Sequence, residues 1–290
     1  MEFNLQDPLT SFIQQQPCTM SELFASESDH MPSLNGLTSF NNADFRSEAI
    51  SLMLQVQFSC NLDPFVAYLA SNYLDRFLSR QEIASIILGL QQGKPWLLRL
   101  IVISCLSLAS KMKNTPFSFS DIQNEGCIFE AQSIQRTELL ILGTLEWRMR
   151  SITPFSFLDF FISSTELKDP SMEKVHKERA SEIIFNAHYD IKFLKFKPSI
   201  IAAAALISAS HELFPLQYSA TRTSISACEY LDEETLFNCC SLMEELVRTE
   251  ENESTLDTSF TSTETPVSVL ERNMKKRSRM DGLCCINNLI

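Results

Sequence analysis

Four histidines, nine cysteines and an acidic excess are the groups in this sequence that could do chemistry. His30, His176, His188 and His211 stand in none of the spacings that metal or nucleophile chemistry uses, such as His-Glu-x-x-His, which sets two imidazoles one helical turn apart around a zinc ion. They read as surface or satisfied helix histidines. Neither a Walker loop nor a Gly-x-Gly-x-x-Gly occurs, so a nucleotide phosphate would have no backbone cradle. Hard cations need several converging carboxylate oxygens, yet no Asp-Asp pair exists, and Asp232, Glu233 and Glu234 read as a helix start favoured by the macrodipole. The cysteines are scattered, with adjacent pairs at Cys239, Cys240 and at Cys284, Cys285; with no Cys-x-x-Cys and no secretory leader, they read as reduced thiols. Catalysis has no foothold in this pattern, so the chain reads as a non-enzyme with no catalytic residue, no metal and no cofactor.

Charge narrows the partner. A net charge of -12 disfavours nucleic acid, whose phosphates are held by clustered Lys and Arg, and points to a protein partner. The most apolar stretch, Trp96 to Ala109, contains Arg99 and falls short of the roughly 18 apolar residues of a membrane span. It reads as a buried core helix, with no membrane role.

The elements that would position any site are helical. Six glycines in 290 residues are too few for a fold built on tight strand turns. Residues 1–44, polar with isolated Phe and Leu, read as a flexible N-terminal arm. Helical spacing begins with Arg46, Ile50, Met53 and Leu54. Asp63-Pro64 is an N-cap with proline in the first turn, opening a helix with Phe65, Leu69, Tyr73 and Phe77 at every fourth residue. A helix from Trp96 to about Met112, apolar nearly all round, forms the centre of the first domain. A short helix around Ser120 to Asn124 follows, then one from about Ala131 to Trp147 with Ile134, Leu139, Leu142 and Leu145 facing inward. Thr153-Pro154 repeats the start signal, and later helices run roughly Met172 to Lys192, Pro198 to Leu213 and Glu233 to Val247. The expectation is an all-α protein with two tandem five-helix bundles at 45–150 and 151–248, followed by a disordered Ser/Thr-rich tail at 249–290, acidic and then basic.

Particular residues make a family resemblance specific. Tyr73-Leu74-Asp75-Arg76-Phe77-Leu78-Ser79 is similar to the second-helix signature of cyclins, and Cys105-Leu106-Ser107-Leu108-Ala109-Ser110-Lys111-Met112 to their third-helix signature. Glu138 to Trp147 with Arg148 to Phe157 resembles the fifth helix and following linker of the plant D-type cyclins. The resemblance implies two tandem cyclin boxes and a regulatory subunit that binds and activates a cyclin-dependent serine/threonine kinase at cell-cycle entry (G1/S). In that family a lysine ending the third helix and a glutamate on the fifth grip the kinase, and these fall on Lys111 and Glu138. Phe117 and Leu142 are further kinase-binding candidates on the same apolar edge. Family signatures of this kind often hold a buried polar pair joining the first two helices, and the resemblance implies that Arg46 and Asp75 form it in a structural role, the arginine giving a buried carboxylate its bidentate partner.

The sequence also departs from the family. The first-helix run that docks substrates in many cyclins is here Phe45-Arg46-Ser47-Glu48-Ala49-Ile50-Ser51-Leu52, with Leu52 at the tryptophan position and Glu48 and Ala49 replacing bulkier apolar residues. No Leu-x-Cys-x-Glu is present, so the chain resembles the divergent sixth subgroup, and a retinoblastoma-related protein is implied only as an indirect partner. Thr265-Pro266 reads as a proline-directed phosphosite, and Lys275, Lys276, Arg277 and Arg279 as a nuclear import run. Family and run together imply a nuclear, partly cytoplasmic location. The competing reading is a cyclin-fold module that docks a partner without activating a kinase. Absent zinc-ribbon cysteines and acidic charge count against DNA attachment, and Lys111 with Glu138 counts for the kinase.

Overall fold

The computed structural model describes residues 19–37, 40–80, 96–115, 129–165 and 169–257. All regular structure among them is helical, as the glycine-poor sequence leads one to expect. Two compact units are present: one is Pro32–Ser151, the other joins the segment ending at Met31 to the chain from Ile152.

In the first unit, α2 (Leu34–Leu37) leads into α3 (Phe40–Ser59), α4 (Pro64–Leu78), α5 (Trp96–Lys113) and α6 (Ala131–Thr144). The Asp63 carboxylate accepts from the Phe65 N–H, satisfying an orphan donor in the first turn of α4. Helix α4 buries Tyr73, Leu74, Phe77 and Leu78, and α5 buries every residue from Leu100 to Ser110. A helix so enclosed must be surrounded, and α3, α4 and α6 all pack on α5. The short helix expected at Ser120 to Asn124 lies outside the described residues.

In the second unit, α7 (Phe155–Ser164), α8 (Pro170–Tyr189), α10 (Tyr218–Ser226) and α11 (Glu233–Asp257) all pack on α9 (Pro198–Leu213), whose Ala202 to Ala209 run is wholly buried. Short alanine side chains let neighbouring helices approach α9 closely.

Within the stretch read as a flexible arm, the described residues 19–31 differ from expectation. A capping box at Thr19 and Glu22 opens helix α1 (Met20–Ser26), which buries Leu23 and Phe24 and passes into a 3-10 turn, Glu27–His30. Its isolated apolar residues show no repeating face, but Phe24 finds one in the second unit, 4.9 Å from Phe157, 5.5 Å from Phe160 and stacked at 4.5 Å on Tyr230. Glu27 is buried, and its carboxylate accepts from the Ser199 N–H and Oγ–H, both at 2.9 Å. Helix α9 begins after Lys197, which supplies no side-chain cap. A carboxylate from another segment therefore does the capping. Burial raises the Glu27 pKa, opposed by Ser199 and by Lys197, whose Nζ lies 3.8 Å away.

Candidate functional site

Lys111 stands in the last turn of α5, and α6 presents Glu138 to it: Lys111 Nζ donates to both carboxylate oxygens at 2.7 Å. The pair straddles the surface, with the lysine side chain 61% exposed and the glutamate 9%. On α6 the buried positions are Ile134, Glu138 and Ile141, followed by Leu145 just beyond the helix. That spacing of four, three and four residues is one helical face. Glu138 thus sits on the packing face with its carboxylate drawn out to Lys111.

The same geometry corrects one expectation. Leu139, read as facing inward, lies about 100° round the helix from Glu138 and is 52% exposed, as is its neighbour Leu140 at 55%. Leu142 is half-buried. Phe117 lies outside the described residues, as do Thr265 and the basic residues Lys275, Lys276, Arg277 and Arg279.

The fifth helix of the first box also ends earlier than its periodicity suggests. After Thr144 the Glu146 N–H donates to the Gly143 carbonyl at 3.1 Å and the Trp147 N–H to the Leu142 carbonyl at 2.9 Å. These two bonds form a Schellman motif. Glutamate occupies the left-handed position that glycine usually takes, at φ 54°, and Trp147 is left-handed too, at φ 60°. Each such non-glycine residue costs roughly 1–2 kcal/mol. Trp147 emerges 67% exposed. The sequence reading missed this surface residue, counting it as the end of a helix, because no glycine marks the stop. The one available signal is the indole itself, a large apolar group next to Glu146 and Arg148.

Arg46 and Asp75 are brought together. Arg46 Nε donates to Asp75 Oδ1 at 2.7 Å and Nη2 to Oδ2 at 3.1 Å, both side chains being buried. Burial pushes the Asp75 carboxyl up, and the guanidinium opposes it. Burial and the nearby Asp75 charge together raise the Cys105 thiol, which leaves it an inert core group. On α3, Ala49 is fully buried, Leu52 half-buried and Glu48 exposed, so the run lacks a broad apolar surface. Among the described residues no group of His, Cys, Asp and Glu could hold a metal ion, and no helix is long and apolar enough to cross a membrane.

Family models described as "Cyclin, N-terminal domain" and "Cyclin, C-terminal domain" match residues 19–150 and 152–269. The chain belongs to the cyclin family. Among curated relatives it is 45% identical over 258 residues to putative cyclin-D6-1 of Arabidopsis thaliana, covering 86% of this chain and 80% of the relative. Cyclin-D6-1 of Oryza sativa subsp. japonica is 34% identical over 286 residues, covering 97% and 84%. It is thus a D-type cyclin resembling the sixth group, as the two helix signatures and the absent Leu-x-Cys-x-Glu suggest. Of solved structures, a viral cyclin from herpesvirus saimiri superposes with a TM-score of 0.59 at 18% identity, covering 79% of this chain and 96% of that one. The all-α tandem architecture of this cyclin is therefore the family's fold.

Proposed function

We propose that this cyclin binds a cyclin-dependent serine/threonine kinase and activates it, in the nucleus of plant cells entering the cell cycle at G1/S. The observation that carries the reading is the Lys111–Glu138 pair at 2.7 Å, preformed on the rim of the first unit. Charged donors and acceptors held in this way can hydrogen-bond the backbone of a docked helix and fix its register. Exposed Leu139 and Leu140 on the same helix supply apolar area of the sort an interface core buries. Family membership supports the kinase as partner, and a chain from the CAK complex of Chaetomium thermophilum bound to ATP-gamma-S shares the fold, with a TM-score of 0.51 at 16% identity over 93% of this chain and 92% of that one. Binding energy would select the competent kinase conformation, with no cyclin residue touching the transferred phosphate. A retinoblastoma-related protein would be reached through the kinase.

The test is co-purification of the full chain with a panel of plant cyclin-dependent kinases, followed by phosphate transfer to a retinoblastoma-related substrate. Complex with activity is the expected result. Lys111→Glu combined with Glu138→Ala should abolish binding while helical content and melting are kept, because an ion pair with one exposed partner contributes only about 0–1 kcal/mol to the fold. A complex without phosphate transfer would leave a docking subunit that does not activate, and persistent binding by the double variant would move the site elsewhere.

A further inference from the structure

One side of α4 carries Asn72, Tyr73 and Arg76, with Tyr73 and Arg76 one and four residues on from Asn72, and Arg80 follows just past the C-cap Ser79. All four reach the segment just after α6. The Tyr73 hydroxyl donates to the Met149 carbonyl at 3.0 Å, and Arg76 Nη2 to the Arg148 carbonyl at 2.7 Å. Arg76 Nη1 donates to Ser151 Oγ at 3.1 Å, and that hydroxyl donates onward to Asn72 Oδ1 at 2.7 Å. Arg80 Nη2 meets Glu146 Oε1 at 3.1 Å on the surface.

Arg76 is buried, burial lowers its pKa, and among the described residues it pairs with no carboxylate. A buried guanidinium committed to a backbone carbonyl and a hydroxyl is a costly arrangement whose hydrogen bonds must be made in full. What those bonds hold is the chain on the C-terminal side of two consecutive left-handed residues, Glu146 and Trp147, while the Schellman bonds hold the other side. Strained backbone of this kind persists only where its surroundings over-determine it. The residue fixed at the centre, Trp147, points outward instead of packing.

We infer that the Asn72, Tyr73 and Arg76 strip of α4 is a positioning device that locks the strained 146–151 turn so that the exposed Trp147 indole is presented, pre-ordered, to the kinase. The inference rests on the kinase-binding reading above. A tryptophan held rigid before binding loses little conformational freedom in the complex, which is how such an anchor gains affinity. In this proposal Tyr73, Asn72 and Arg76 do not meet the kinase themselves; they act through Trp147.

The test uses the full chain with Trp96→Phe, which leaves Trp147 as the single tryptophan. Tyr73→Phe deletes one clamp hydroxyl with little risk to folding, and Arg76→Gln deletes the cation. Both should lower Trp147 fluorescence anisotropy without a kinase present and should weaken kinase binding about five- to tenfold with helical content kept. In a Trp147→Ala background the same substitutions should change affinity less than twofold, as residues acting through a common group are not additive. Unchanged anisotropy in both variants overturns the proposal, and so does an affinity penalty equally large without the indole. Failure of the kinase reading looks different: the unsubstituted chain would form no complex, while the anisotropy result would still decide whether the clamp orders Trp147.

Discussion

Deleting the Asp75 carboxylate should cost the first unit far more than an ordinary polar substitution. In Asp75→Ala the Arg46 guanidinium keeps its burial and loses both charge-assisted bonds, at 2.7 and 3.1 Å. Breaking a buried pair from one side costs about 3–5 kcal/mol, because an uncompensated charge is left in the interior. At roughly 4 °C per kcal/mol for a unit of this size, melting should fall by about 12–20 °C. The asymmetry is the sharper part. Replacing both partners by apolar residues of similar volume, Arg46→Met with Asp75→Leu, removes charge and carboxylate together and should return most of the loss, to within about 1.5 kcal/mol of the parent. Calorimetry on the full chain, following the transition of the first unit, measures all three proteins. If Asp75→Ala melts within 3 °C of the parent, as an exposed pair worth about 0–1 kcal/mol would, or if the double variant is as unstable as the single, the pair is not the buried unit described here.

Two further predictions concern the second unit and have opposite pH signs. His176 is buried, its Nε2 bonded to the Leu206 carbonyl at 2.8 Å and its Nδ1 unpartnered, and burial lowers its pKa. The unfolded chain therefore takes up the proton first as pH falls through about 6.5. Stability is full above that value and is lost below it, by up to about 1.4 kcal/mol per pH unit; denaturant titrations between pH 7 and pH 5 should show a slope that His176→Phe flattens. Glu27 has the reverse sign, since its folded pKa is raised. Its contribution is greatest below the ordinary glutamate range and falls as pH rises through the window just above it. Near neutral pH, Glu27→Ala should still cost about 1–2 kcal/mol as a lost helix cap. Glu27→Gln, which keeps an acceptor for the Ser199 N–H, should cost less; equal losses from the two would mean that Glu27 does not cap α9.

Helix content, the order of the helices and the family were legible in the chain itself, because each is written in local terms. Asp63-Pro64 announces a helix start by its own φ restriction and carboxylate, and the Tyr73 to Ser79 and Cys105 to Met112 signatures are contiguous. The Arg46–Asp75 pairing came with the family resemblance, and the structure supplies its physical ground, since a buried arginine and a buried aspartate satisfy each other. What needed three dimensions was every feature whose partner is remote in sequence. Glu27 caps a helix 172 residues away, so its role leaves no trace in its own neighbourhood, and Phe24 is an isolated aromatic until Phe157 and Tyr230 enclose it. Periodicity carried α6 on to Trp147 and turned Leu139 inward, since apolar spacing alone does not distinguish a core face from a face kept for a partner. After Thr144 the helix is closed by the Glu146 and Trp147 N–H bonds to Gly143 and Leu142, and the chain beyond this left-handed turn, which neither Glu146 nor Trp147 would adopt by its own preference, is met by Tyr73 and Arg76 at the Met149 and Arg148 carbonyls, partners more than 70 residues away in sequence.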